Sequence, residues 1–400
     1  MMPAPMVADD ALRSELRSWL ATHPPPPVRT AASAADAETL RAWQRALHRA
    51  GWVGIHWPRE YGGRGASVRQ VAIYHEEFAR AGAPHLLGRA GISLVGPTLL
   101  AHGTAAQRER WLPRILSGDD VWCQLFSEPG AGSDLAALST RATKSGGCYR
   151  VTGQKVWSSY ATFADLGVAL VRTDLDASPH HGISMLAIPM DARGVEVRPL
   201  RQLTGEPEFN EVFLDEVEVP VDHCIGPEHE GWRVANTTLA NERGASFIWK
   251  EQVLHELAVA ELIGACRDAG AIGDPLVRQR LARSWIDAEL LRLHNARTLA
   301  RIERGDELGA ESSLVKLLWA DLSQRLADTA VAALGPMALD PASPWEQRLL
   351  TTRANSIMGG TSEIQRTIIG ERLLGLPREP PARAATPAAP PGTPATGAMR

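Results

Sequence analysis

The chain has 400 residues, of which 44% are hydrophobic and 22% charged, with a formal net charge of -4. This length predicts more than one domain, and acids and bases mixed along the whole chain offer no basic stripe, which excludes nucleic acid and anionic lipid as expected partners. No apolar stretch is long enough to span a bilayer, the first residues lack the features of a secretory signal, and Cys123, Cys148, Cys224 and Cys266 include no C-x-x-C pair, so the expectation is a cytoplasmic protein with buried, reduced thiols and no metal site.

In chain order, Leu12, Leu16, Trp19 and Leu20 form one apolar stripe, and Leu40, Trp43 and Leu47 form a second that stops at Gly51. Both predict helices. The Gly-rich segment 51–63 reads as an ordered loop, and a helix follows around 68–81. From about residue 120 to residue 220 the period changes to two, predicting strands near 149–152, 166–172, 183–189, 195–200 and 211–219. After Gly231 long helical runs return over 232–269, 275–304 and 311–334, the last closed by Gly335 and Pro336. A closing helix begins near Thr361, where Ser362 and Gln365 have capping-box spacing behind Gly359-Gly360. The repeated Pro, Ala, Thr and Gly of 378–400 predict a disordered tail. The expected fold class is α+β, mostly helical: an N-terminal helical domain (1–119), a middle β-domain (120–226), a C-terminal helical bundle (227–377) and the tail.

Two runs stand out at the passage from helices to strands. Phe126-Ser-Glu-Pro-Gly-Ala-Gly-Ser-Asp134 leaves backbone N–H groups unobstructed beside two hydroxyls and suits a polar or anionic ligand. Taken alone it reads as a strand-connecting turn, and it is neither a Walker loop nor a Rossmann fingerprint. Gly153-Gln-Lys-Val-Trp157-Ser-Ser159 sets an aromatic among hydroxyls, where a flat ligand could stack. Taken alone it reads as a core tryptophan.

In combination and order, the sequence resembles the acyl-CoA dehydrogenase family from about residue 10 to residue 377. P-R-E-Y-G-G (58–63), S-E-P-G-A-G-S-D (127–134), G-Q-K-V-W (153–157), F-L-D-E-V-E-V (213–219) and G-T-S-E-I-Q (360–365) carry the resemblance. It implies a three-part fold with a β-barrel-like middle domain and a C-terminal four-helix bundle. FAD would lie between those two, with an acyl-CoA along the flavin face and an electron-transferring flavoprotein as acceptor. Gln124, Phe126 and Ser127 match the family strand that lines the isoalloxazine. Gly132 and Ser133 match the loop shared by the flavin pyrophosphate and CoA, Trp157 and Ser159 the residues that pack on and hydrogen-bond the ring, and Thr361 and Glu363 positions near the flavin.

The implied reaction needs a carboxylate to take the α-proton while the β-hydrogen leaves as hydride, and a desolvated Glu suits that task. Many family members place this Glu directly before the Gly-Thr of the last motif, where this chain has Gly359. Others, including those acting on branched or bulky acyl groups, place it on a bundle helix before an Arg. Glu242-Arg243 match there, making Glu242 the expected base and Arg243 a residue that holds the helix or approaches the CoA. Taken alone, a Glu-Arg pair on a helix is a solvated charge pair.

The segments that hold the FAD tail from an adjacent subunit in homotetrameric relatives are replaced by 270–276 and 332–337. This pattern resembles the heterotetrameric dehydrogenases of steroid side-chain breakdown, and a partner acyl-CoA dehydrogenase-like chain is expected. The alternative is a homo-oligomer using other residues, such as Arg278 or Arg280. An acyl-CoA oxidase-like flavoenzyme and a mainly structural subunit of a heteromeric dehydrogenase are the competing functions. The expected acyl group is bulky, branched or steroid-like.

Overall fold

A computed structural model describes residues 4–242, 245–306 and 309–378. The chain begins with α1 (Ala4–Thr22) and α2 (Ala34–Arg49), whose apolar stripes bury Leu12, Leu16 and Leu20, and Leu40, Trp43 and Leu47. Ser33 caps α2 by accepting from Asp36 N–H. The loop after Gly51 is ordered because it buries Trp52, Ile55 and Trp57. Gly63 lies against its backbone: a Cβ there would fall 2.1 Å from the Trp57 carbonyl oxygen, so only glycine fits. A capping box formed by Ser67 and Gln70 starts α3 (Val68–Arg80).

A π-helical turn, Gly91–Val95, then leads into α4 (Gly96–His102) and α5 (Ala105–Ser117). The sequence pattern did not signal these helices, since Pro97 and Pro113 interrupt the helical run. Gln107 on α5 donates to the carbonyls of Asp222 and Cys224 at 2.7 and 2.8 Å, fixing the helical layer to the far end of the sheet.

The middle of the chain forms β1 (Trp122–Leu125), β2 (Arg141–Ser145), β3 (Cys148–Lys155), β4 (Leu166–Arg172), β5 (Ile183–Pro189), β6 (Val195–Leu200) and β7 (Phe209–Pro220). They make one seven-stranded sheet ordered β1-β4-β2-β3-β7-β6, with β5 paired to β4. β4 and β5 are buried on both faces and so read as continuous apolar runs. β1 is four residues long and β2 is mostly exposed, so neither shows alternation.

The helical end comprises α6 (Gly231–Glu242), α7 (Ala245–Asp268), α8 (Pro275–Glu303), α9 (Glu311–Leu334), α10 (Pro344–Thr352) and α11 (Ser362–Ile368). The run expected over 232–269 is carried by α6 and α7, and residues 243–244 lie outside the described residues. α7, α8 and α9 pack against one another, and α10 and α11 pack on α9. The arrangement of N-terminal helices, curled middle sheet and C-terminal helices is the expected α+β fold.

Two details differ from expectation. Thr361, not Ser362, caps α11: its hydroxyl accepts from Ile364 N–H at 3.2 Å. Gln365 donates back to the carbonyls of Gly359 and Gly360 instead of completing a capping box. Cys123 and Cys266 are buried free thiols, but Cys148 and Cys224 are only half-buried; Cys148 sits at the turn end of the β2–β3 hairpin, opposite Ser145. The predicted tail from 379 onward lies outside the described residues. No helix among the described residues is long and apolar enough to cross a membrane.

Candidate active site

β1 runs into the S-E-P-G-A-G-S-D loop, and β3 runs into the turn that carries Trp157. The two runs are neighbours because Val156 N–H donates to the Ser127 carbonyl at 2.9 Å. Beneath them lies an ion pair between Lys155 and Glu128, with side-chain exposures of 0% and 4%. Lys155 Nζ donates to the Phe126 carbonyl at 3.1 Å, to Glu128 at 2.8 Å and to the Leu170 carbonyl at 2.7 Å. The Glu128 carboxylate also accepts from the Ser139 and Thr140 N–H groups and from the Ser139 hydroxyl.

Burial alone would push the Glu128 carboxyl up; Lys155 and the hydrogen bonds outweigh it and hold the group at about 2. Burial pulls the Lys155 ammonium down to about 8 against the pull of Glu128. One shift favours the ion pair and the other opposes it. The hydrogen bonds decide for the pair, because all three ammonium donors meet an oxygen. Neither residue was singled out from sequence, although both lie within the conspicuous runs.

Above this anchor the chain turns sharply. Trp157 has a φ of 61° and Tyr160 a φ of 57°, left-handed conformations that bulky residues adopt only where surroundings impose them. The imposing residue is buried Asn210 at the start of β7. Its carbonyl accepts from Ser158 N–H at 3.1 Å and its side-chain amide donates to the Ser158 carbonyl at 2.9 Å. The indole is thereby pushed out: Trp157 is 61% exposed and meets Phe209 in a T-shaped contact, at 6.0 Å between ring centroids. The expectation of a core tryptophan from this run taken alone is thus overturned, since the indole faces solvent. Gln124, Ser127 and Ser159 are half-buried and Phe126 is buried in the same wall.

In the adjoining loop the N–H of Glu128 donates to the Ala131 carbonyl and that of Ala131 to the Glu128 carbonyl, closing a small turn. Gly132 and Ser133 follow it, exposed, with no acceptor among the described residues for their N–H groups. A Cβ on Gly132 would meet nothing within 4 Å, so that side of the loop is open to a ligand's oxygens.

Three family models match the chain consecutively: acyl-CoA dehydrogenase N-terminal domain over residues 8–119, middle domain over 123–217 and C-terminal domain over 229–374. The chain belongs to the acyl-CoA dehydrogenase family. It is similar to the acyl-CoA dehydrogenase IpdE1 of Mycobacterium tuberculosis, at 41% identity over 347 residues, covering 86% of this chain and 89% of that one. Acyl-CoA dehydrogenase FadE26 of the same organism is 35% identical over 392 residues, covering 92% and 97%. Among solved structures, the Tcur3481-Tcur3483 steroid ACAD superposes with a TM-score of 0.84 at 31% identity, covering 95% of this chain and 99% of that one. The ChsE4-ChsE5 complex from Mycobacterium tuberculosis superposes with a TM-score of 0.80 at 32% identity, covering 95% and 100%.

In this acyl-CoA dehydrogenase the remaining sequence-predicted site residues lie on the helical end. Thr361 caps α11, and Glu363 is exposed and paired with Arg366 at 3.4 Å. No hydrogen bond or ion pair among the described residues joins either to the wall that carries Gln124, Ser127 and Trp157. Gly359 is exposed at a φ of 64° and Gly360 follows at 90°, a backbone that a side chain would strain. Glu242 is the last residue of α6; its side chain and all of Arg243 lie outside the described residues.

Proposed function

We propose that this acyl-CoA dehydrogenase binds FAD and removes a hydrogen pair from the α and β carbons of a bulky, branched or steroid-like acyl-CoA, with Glu242 as base. The observation that carries this reading is the exposed Trp157 indole, held out on a left-handed backbone by Asn210 on a turn that the Val156 N–H ties to the loop bearing Gly132 and Ser133. A flat ring next to an anion-accepting loop fits a flavin with its pyrophosphate. Gln124, Phe126, Ser127, Trp157 and Ser159 would hold the ring, Gly132 and Ser133 the pyrophosphate, with Ser133 also serving the CoA, and Thr361 and Glu363 would approach from α11. Bound FAD would supply the hydride acceptor. Glu242 would take the α-proton, a role that the vacant position 359 leaves to it. Arg243 would hold the helix or approach the CoA.

The steroid-like acyl group is supported by the similar steroid ACAD. The partner reading is supported by the two similar structures, each named for two different chains. It is also supported by Arg278, the candidate substitute for the lost contacts, whose guanidinium is engaged locally by the carbonyls of Ile272 and Gly273 at 3.0 and 2.8 Å. A second acyl-CoA dehydrogenase-like chain would complete the FAD cradle, and an electron-transferring flavoprotein would reoxidise the enzyme.

The test is the visible spectrum of the chain purified alone and co-purified with a candidate partner, followed by turnover of a Glu242→Gln variant. Flavin bound only in the complex, with turnover reduced roughly 100-fold or more in the variant, is the expected result. One flavin per chain in the isolated protein sinks the partner, and full activity of Glu242→Gln sinks the base.

A further inference from the structure

α6 ends at Glu242, so the place of that residue depends on how the helix is held. Its first residue is pressed against the sheet: a Cβ on Gly231 would fall 2.6 Å from the Ser184 backbone on β5. Val234 and Ala235 follow in the core, closed off from solvent. In the last turns before Glu242 the contacts become polar. Thr238 and Thr98 on α4 are both 0% exposed, and their hydroxyl oxygens lie 2.8 Å apart. Beside them, His102 Nε2 lies 2.8 Å from the Thr237 hydroxyl.

The direction of each bond follows from the protons available. Thr98 donates its one hydroxyl proton to the Leu94 carbonyl at 2.7 Å. The contact between the two threonines is therefore a donation from Thr238, and the chain of hydroxyls ends on the π-helical turn. The alternative acceptor for Thr238, the Val234 carbonyl on its own helix, is more distant at 3.3 Å. At His102 the Arg233 guanidinium, which can only donate, stands 3.5 Å from Nδ1. The ring proton is thus on Nε2, which donates to Thr237. Burial first, and the Arg233 charge second, hold the His102 pKa below its ordinary value and keep the ring in this neutral form.

Apolar contact is non-directional, whereas these bonds have fixed lengths and fixed partners. Thr237 and Thr238 are adjacent on α6, and Thr98 and His102 are one turn apart on α4. Together the two bonds restrain both the rotation of α6 and its position along its own axis. Residue 242 lies one turn beyond Thr238, about 6 Å along that axis. We propose that Thr98 and His102 are positioning residues for the base, fixing through Thr238 and Thr237 where α6 places residue 242 relative to the α-carbon of the substrate. This rests on the reading of Glu242 as base and adds the residues that hold it. A base works only within hydrogen-bond reach of the proton it takes, and a misplacement of ~1 Å costs roughly 100-fold in rate.

The test compares 3-cyclohexylpropanoyl-CoA with its α,α-dideuterated form on the flavin-loaded complex, with a dye as acceptor. Thr238→Val keeps the shape of the side chain and removes the hydroxyl. It should lower kcat by about tenfold with KM changed less than about twofold, and raise the α-deuterium isotope effect on kcat as proton removal becomes the slow step. Thr238→Ser keeps the hydroxyl and should keep the isotope effect, although it loses a buried methyl and melts lower. His102→Gln, which still offers an N–H to Thr237, should stay closer to the unaltered complex than His102→Leu. If Thr238→Val fails to hold its flavin, the double variant Thr98→Val/Thr238→Val, which leaves neither hydroxyl orphaned, is read in the same way. An unchanged isotope effect in these valine variants overturns the positioning role, whatever their stability, and leaves Glu242 standing as base. Full activity of Glu242→Gln overturns both.

Discussion

Lys155 Nζ and the Glu128 carboxylate meet at 2.8 Å, both closed off from solvent, across 27 positions of chain. Through the Phe126 carbonyl the same ammonium holds the strand end that faces the expected flavin. The anchor of the site is therefore also an anchor of the fold.

Replacing Lys155 by Met leaves a buried carboxylate without its cation, which costs about 3–5 kcal/mol. A thermal melt should show a clear fall in unfolding temperature together with loss of bound flavin. Adding Glu128→Leu removes the orphaned charge, so the double variant should melt above the Lys155→Met single variant. Strictly additive losses would argue that the two residues are not coupled.

Stability should fall with acid in two stages. His75 and His56 have folded pKa values lowered to about 3 and about 4, so below their ordinary value of 6.5 the unfolded chain binds protons that the folded chain does not. Their contribution is complete above pH 6.5 and is lost as pH falls toward 4. Glu128, lowered to about 2 from 4.5, contributes above pH 4.5 and loses that contribution as pH falls toward 2. Urea midpoints between pH 7.5 and 4.5 check the first stage: His75→Gln should flatten the slope, and an unchanged slope would count against it.

Because the Trp157 indole is exposed, its removal should scarcely touch stability, within ~0.5 kcal/mol for a surface substitution. Trp157→Ala should instead weaken FAD binding by roughly 3- to 10-fold, as expected for a lost aromatic stack, with Trp157→Phe intermediate. Fluorescence titration of the flavin-free complex measures this. A stability loss with unchanged FAD affinity would make Trp157 a packing residue.

At the start of α11, Thr361→Ala should cost about 1 kcal/mol as a lost N-cap, while Ser362→Ala should cost less, since the Ser362 hydroxyl is buried without a partner. Chemical denaturation of the two variants distinguishes them. The reverse ranking would restore Ser362 as the cap.

The runs 127–134 and 153–157 were conspicuous in the sequence because glycines, hydroxyls and an aromatic crowd into few positions. That Trp157 points outward was not legible, because an isolated aromatic on an alternating strand serves a core equally well. The deciding residue, Asn210, lies about fifty positions away. The meeting of Lys250 and His85 was still less visible: they are 165 positions apart, and each alone is an ordinary polar residue on a helix or loop. Ser362 was misassigned as the cap because two adjacent hydroxyls fit the same local rule, and only the folded chain shows that Thr361 accepts from Ile364 N–H.

Local chemistry by itself determined the helical and alternating segments, their α+β order, the family, and the residue types offered to a ligand. Each depends on neighbours within a turn or a strand, where periodicity and glycine content act directly. Tertiary structure alone decided which offered residues meet, which buried charges are paired, and where donors are left over. Those outcomes depend on distances between segments far apart in the chain, set when the sheet and the helices close on one another.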